Sequence, residues 1–310
     1  MPYRSFVCII LVLVIPLPAA AAGQLSENAI ADIRTLSSEA FEGRETGTEG
    51  AKKAREYLLE RYRQIGLEPV GGSYFQPFTY RRGRAEGVNV LGKLPGCQHP
   101  EQLVVVTAHY DHLGMKGGQV HPGADDNASG VAAMLMLAEQ LQIGSQGCSP
   151  ALSWLFLATD AEENGLNGSQ AFIDQPPVAL ERVILNLNLD MIARGEQRNH
   201  LYLTRGRDKR GLQNHLKAID GPVNLRLLRH RGPGQGRRSA LRSSWPQSSD
   251  HGPFHRAGIE YLFFGGMDHA DYHRPSDTWD RIEADFLQGS LEIILAAARW
   301  IDANSGPRDD

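Results

Sequence analysis

The sequence predicts one α/β domain with a mixed, mostly parallel central sheet covered by helices on both faces, a three-layer α/β/α arrangement. Three observations carry that expectation. Near-continuous apolar runs of strand length stand at 88–91, 103–108, 152–158, 183–189 and 259–264, as strands buried on both faces require. Helical apolar patterns at 128–141, 208–219 and 283–301 alternate with them. No internal repeat and no domain-parting linker interrupts the series, and 310 residues at 41% apolar and 22% charged composition suit a single packed core.

The chain opens with Arg4, an apolar run over 6–15, and then Pro16-Leu17-Pro18 followed by four alanines. A basic start, a short apolar stretch and a small-residue ending read as a secretory signal peptide, 1–22, cleaved after Ala22 to leave 23–310 as the domain. The run is too short for a membrane span and two prolines interrupt it, so the expected product is periplasmic or secreted, without stable membrane insertion. The 26–38 segment then places Ile30, Ile33 and Leu36 at helical spacing. The 48–65 segment does the same with Ala51, Ala54, Leu58, Tyr62 and Ile65, and Gly66 stands where that helix would stop.

Cys97 and Cys148 each lie a few residues before an apolar run. If those runs are neighbouring parallel strands, both cysteines share one sheet edge and a bridge is feasible in an oxidising compartment; two unpaired thiols are the alternative. Between 229 and 249 the chain is rich in glycine, serine and proline and reads as a long loop. The 181–242 stretch holds fourteen Lys/Arg against five Asp/Glu but a single aromatic, Tyr202, so it offers no stacking platform for nucleic acid and reads as a solvated basic face. A net charge of −4 and a pI near 6.3 also speak against a nucleic-acid partner.

Five short segments concentrate His, Asp and Glu where strands end or a helix begins: 108–112 around His109, 123–130 around Asp126, 160–165 around Glu162-Glu163, 188–191 around Asp190, and 271–278 around His273. In open α/β sheets, sites form outside the carboxyl ends of the strands. So many acids on one rim would repel one another without cations, and imidazole mixed with carboxylate suits zinc. Each segment alone is weak, because a lone His or Asp at a strand end commonly caps a turn. Their joint occurrence carries the reading.

In this order the segments resemble the co-catalytic dizinc aminopeptidase family, which includes bacterial leucyl-type aminopeptidases and has glutamate carboxypeptidase and glutaminyl cyclases as relatives. The likeness runs from the glycine-rich 41–50 segment through His273. It implies two zinc ions: His109 and Asp190 on one, Glu163 and His273 on the other, and Asp126 bridging. It further implies Glu162 as general base, Asp111 as the residue that orients a ligand, and Tyr272 as a stabiliser of the transition state. The 249–254 segment also matches one near the family's site. Two zincs about 3.5–4 Å apart can share and acidify one water, and Asp111 would take the free N–H of His109.

The expected activity is removal of N-terminal residues from peptides by a monomeric exported enzyme. Carboxypeptidase or dipeptidase specificity, glutaminyl cyclisation, and a non-catalytic metal-stabilised binding domain are the alternatives.

Overall fold

The computed structural model describes residues 19–143, 150–205, 210–219, 221–229 and 248–305. Its strands are β1 (Phe75–Tyr80), β2 (Ala85–Leu94), β3 (His99–His109), β4 (Gly114–Lys116), β5 (Gln119–His121), β6 (Leu152–Thr159), β7 (Val183–Asp190), β8 (His200–Arg205), β9 (Asn224–Arg229) and β10 (Tyr261–Gly265). Eight of them form one sheet in the order β1-β2-β6-β3-β7-β10-β8-β9, and β4 pairs with β5 in a small hairpin. The inner strands β6, β3, β7 and β10 run parallel. Antiparallel pairs attach β2 on one side and β8 on the other.

The helices are α1 (Ala19–Leu36), α2 (Glu49–Ile65), α3 (Gly130–Ile143), α4 (Asn167–Asp174), α5 (Arg210–Lys217), α6 (His251–Arg256) and α7 (Ala284–Asn304). Period-two alternation in the strands feeds two cores. Val104, Val106 and Ala108 of β3 pack with α1, α2, α3 and α7, while Leu103 and Val105 face Phe172 of α4 and Phe254 of α6. With both faces buried, these strands show almost no polar alternation in sequence, and so they are the easiest to read. Helix α3 is buried from Gly130 to Ala138, as its nearly all-apolar sequence requires. The Thr48 side chain caps α2 at the Ala51 amide, and Gly66 closes it in the left-handed conformation, φ 85°.

All five expected strands and the five expected helices form, with ends shifted by a few residues. The sequence reading missed β1, β8, β9, the β4–β5 hairpin, α4 and α6. Strand β1 carries Pro77, which an edge strand tolerates and an inner strand does not. Strand β9 lies at the other edge with β8 next to it, and the two interleave Arg, His and Asn with leucine. Helix α6 spans only six residues and includes Pro253.

The 181–242 stretch is therefore not one solvated face. Its described part contributes β7 and β8 to the sheet interior and β9 to its edge. Arg226 and Lys217 are exposed, but Arg194 is held by Asp271 at 3.0 Å and Glu196 at 2.7 Å. Most of the expected 229–249 loop lies outside the described residues. Cys97 is disulfide-bonded and sits at the amino end of β3, where its amide meets Pro150 O. Cys148 lies outside the described residues, as does nearly all of the expected signal peptide. Among the described residues no helix is long and apolar enough to cross a membrane.

Arg44 ties the glycine-rich opening to the rim of the sheet. Its buried guanidinium donates to Leu36 O (2.7 Å), Tyr110 O (2.8 Å), Pro122 O (2.6 Å) and Gly123 O (2.9 Å). Removing it would leave the Leu36, Tyr110 and Pro122 carbonyls without a donor, while Gly123 O would keep only the Ala128 amide. Arg44→Met is expected to cost about 3–5 kcal/mol in equilibrium urea unfolding. A loss below about 1 kcal/mol would show that water replaces the guanidinium there.

Candidate metal centre

Because β6, β3, β7 and β10 are parallel, their carboxyl ends share one rim. His109 is the last residue of β3 and Asp190 the last of β7, while the 160–163 turn follows β6. Asp126 sits in an irregular helical turn, Ala124–Ser129, that opens into α3. His273 comes eight residues after β10, in the 271–278 loop. Ala161, Met191 and His273 hold positive φ (56°, 57° and 57°). This backbone conformation costs about 1 kcal/mol or more per residue and clusters where side-chain aim matters.

Asp126 lies between two donor groups. Its Oδ1 is 3.3 Å from His109 Nε2, which is itself 3.4 Å from Asp190 Oδ1. Its Oδ2 is 3.1 Å from His273 Nε2, which is 3.3 Å from Glu163 Oε2. The neighbours Glu162 and Glu163 diverge: Glu162 groups with His109 and Asp190, Glu163 with Asp126 and a residue not singled out in the sequence, His112. His112 stands in the same short segment as His109, but nothing in its spacing set it apart from a turn histidine.

Asp111 differs from its expected contact. His109 Nδ1 meets the Asp111 backbone carbonyl at 3.1 Å, and the Asp111 carboxylate is 3.8 Å away. A carbonyl only accepts, so Nδ1 carries the hydrogen and Nε2 presents its lone pair to Asp126 and Asp190. The Asp111 carboxylate instead accepts the amides of Glu162 (3.1 Å) and Glu163 (3.3 Å), fixing the turn that carries both. The strand leaves β3 at this point, and the resulting bend brings the main-chain oxygen closer to the ring than the side chain.

Several supports also went unread. Asp277 accepts the amides of Asp125 and Asp126, each at 3.1 Å. Asp125 Oδ2 is 3.3 Å from His269 Nε2, which links the Asp126 turn to the loop bearing His273. Asn127 accepts from Gly130 N and Met191 N and donates to Leu189 O, joining α3 to the end of β7. In the 249–254 segment, Ser249 Oγ accepts from Asn188 and the Asp250 carboxylate accepts from Thr159. Tyr272 stacks on His273, ring centroids 3.8 Å apart, and is half-buried.

The electrostatics divide these acids. Burial raises the Glu162 carboxyl well above the ordinary range, and the Asp190 charge adds to this. Burial likewise raises Asp111 and Asp190. Burial would raise Glu163 as well, but the His112 and His273 imidazoles outweigh it and hold Glu163 at about 2. For Asp126 the His109, His112 and His273 rings overcome burial in the same way.

This donor set fits zinc. Glu163 Oε1, Asp190 Oδ1, His273 Nε2 and both nitrogens of His112 are buried without a hydrogen-bond partner. Groups so placed are costly unless a cation takes them up, and imidazole with carboxylate is a borderline-soft set.

A mostly parallel sheet with such a rim is the fold of zinc aminopeptidases. The crystal structure of one from Bacillus subtilis, BSAP, matches with TM-score 0.68 at 20% identity, covering 88% of this chain and 94% of that one. The chain belongs to peptidase family M28, whose model matches residues 89–298. Aminopeptidase YwaD of B. subtilis is 31% identical over 220 residues, 67% of this chain. The match spans 43% of that relative's length, so this chain corresponds to less than half of it. A glutaminyl cyclase structure from Bacteroides thetaiotaomicron shares the fold too, with TM-score 0.64 at 18% identity over 88% of this chain and 96% of that one.

Proposed function

We propose that this chain is an exported, monomeric zinc aminopeptidase that removes N-terminal residues from peptides. The leading support is the Asp126 carboxylate, one oxygen toward His109 and the other toward His273. That placement suits a bridge between one zinc on His109 and Asp190 and a second on Glu163 and His273. When bound, the zinc pair supplies Lewis acidity for the scissile carbonyl and lowers the pKa of water at the site.

The protein's own groups do the rest. Glu162 takes a proton from the attacking water and delivers it to the departing amine nitrogen. Burial raises its affinity for a proton above that of an ordinary carboxylate, as a group that takes up a proton requires. Asp111 keeps the Glu162–Glu163 turn rigid through two amide contacts, and the Asp111 carbonyl fixes the His109 tautomer. Tyr272, packed on His273, stands beside the site to donate its phenolic hydrogen to the developing oxyanion. The leader over 1–22 would direct export.

The test is hydrolysis of leucine anilide. Turnover is expected to vanish with a chelator and return on adding zinc. Release from N-terminally blocked peptides alone, or cyclisation of N-terminal glutamine without hydrolysis, would overturn the aminopeptidase reading.

A further inference from the structure

We propose that His112 is a metal ligand, its Nδ1 joining Asp126, Glu163 and His273 around one cation. This rests on the zinc-centre reading above and makes the two cation positions unequal. One would be held by two imidazoles and two carboxylates, the other by a single imidazole, His109, with Asp190 and Asp126.

His112 is fully buried, and neither ring nitrogen has a hydrogen-bond partner. Nδ1 is 2.8 Å from Glu163 Oε1 and 3.7 Å from Asp126 Oδ2. At 2.8 Å a hydrogen bond would be expected, yet Nδ1 and Oε1 are both unsatisfied, so their directions do not meet head-on. Atoms that close with lone pairs aimed past each other are arranged as ligands sharing a third centre. Ligand atoms about 2.0–2.1 Å from a tetrahedral zinc stand about 3.3 Å apart, and the two His112 separations bracket that spacing. The His273 separations of 3.1 and 3.3 Å fall beside it.

The ring is also held in place. A Cβ on Gly123 would stand 2.1 Å from Asp126 O and 2.6 Å from His112 Cγ and Cδ2, so the glycine lets both the Asp126 turn and the imidazole approach closely. The His112 amide donates to Arg44 O, and the Arg44 side chain grips Gly123 O from the other side.

Zinc-edge X-ray absorption on the wild-type protein loaded with zinc tests this directly. Three imidazoles shared by two zincs give about 1.5 per zinc, against about 1.0 if His112 does not ligate. His112→Phe should bring the count to about 1.0 and weaken one zinc equivalent more than about 100-fold in chelator competition, leaving the other within about tenfold. His112→Asn, which keeps a donor atom near the Nδ1 position, should recover part of that loss. A wild-type count near 1.0, or a His112→Phe protein holding both zincs within about tenfold of wild type, would overturn the assignment. A zinc-loaded protein with three imidazoles and no peptidase turnover would defeat the aminopeptidase reading while leaving His112 a ligand.

Discussion

Glu162→Gln is expected to lower kcat by about 10²–10⁴-fold while both zincs stay bound. The amide keeps the side chain's size and the backbone contact to Asp111, so the turn should survive. What it loses is a site for the proton. Burial raises the Glu162 carboxyl above the usual range, and the ionised form is the one that accepts a proton. Wild-type kcat should therefore rise with pH through that raised pKa, and the variant's profile should lose this limb. Metal analysis beside a pH–rate profile checks both halves. Near-wild-type turnover in the variant would remove Glu162 from the chemistry. Glu163→Ala separates the neighbours, because it should weaken zinc binding first.

Asp126→Ala should affect both cation positions, since the two carboxylate oxygens face different donor groups. Loss of a shared ligand is expected to weaken zinc by more than the roughly 10–100-fold of an outer-contact substitution, and to leave turnover below about a thousandth of wild type. Thermal unfolding provides a second reading. At a hundredfold excess over its Kd, zinc should stabilise the wild type by about 2.7 kcal/mol and the variant hardly at all. A variant that still binds two zincs and is stabilised like the wild type would mean Asp126 bridges nothing.

Much of this was legible in the chain. The inner strands could be read because burial on both faces makes their residues nearly all apolar, as in 103–108 and 152–158. His109 and Asp190 end strands, Glu163 follows one, Asp126 opens a helix and His273 lies in a loop, and the fold brings all five together from positions spread over more than 160 residues. Strand β8, flanked by β10 and β9, and the edge strand β9 escaped because both interleave polar and basic residues with leucine. The 249–254 segment drew notice by likeness, but its hydrogen bonds to Asn188 and Thr159 depend on strands adjacent only in the fold.

By itself the sequence determined the layered fold, the strand ends that form the rim and the residue types gathered there, because hydrophobic period and the residues flanking each apolar run can be read locally. Only the tertiary structure decided how those side chains are aimed. It put His112 inside the cluster, made the Asp111 carbonyl rather than its carboxylate the partner of His109, and turned Glu162 and Glu163 toward different donor groups. Such choices depend on differences of less than about an ångström in how a strand end bends, and long-range packing sets those differences.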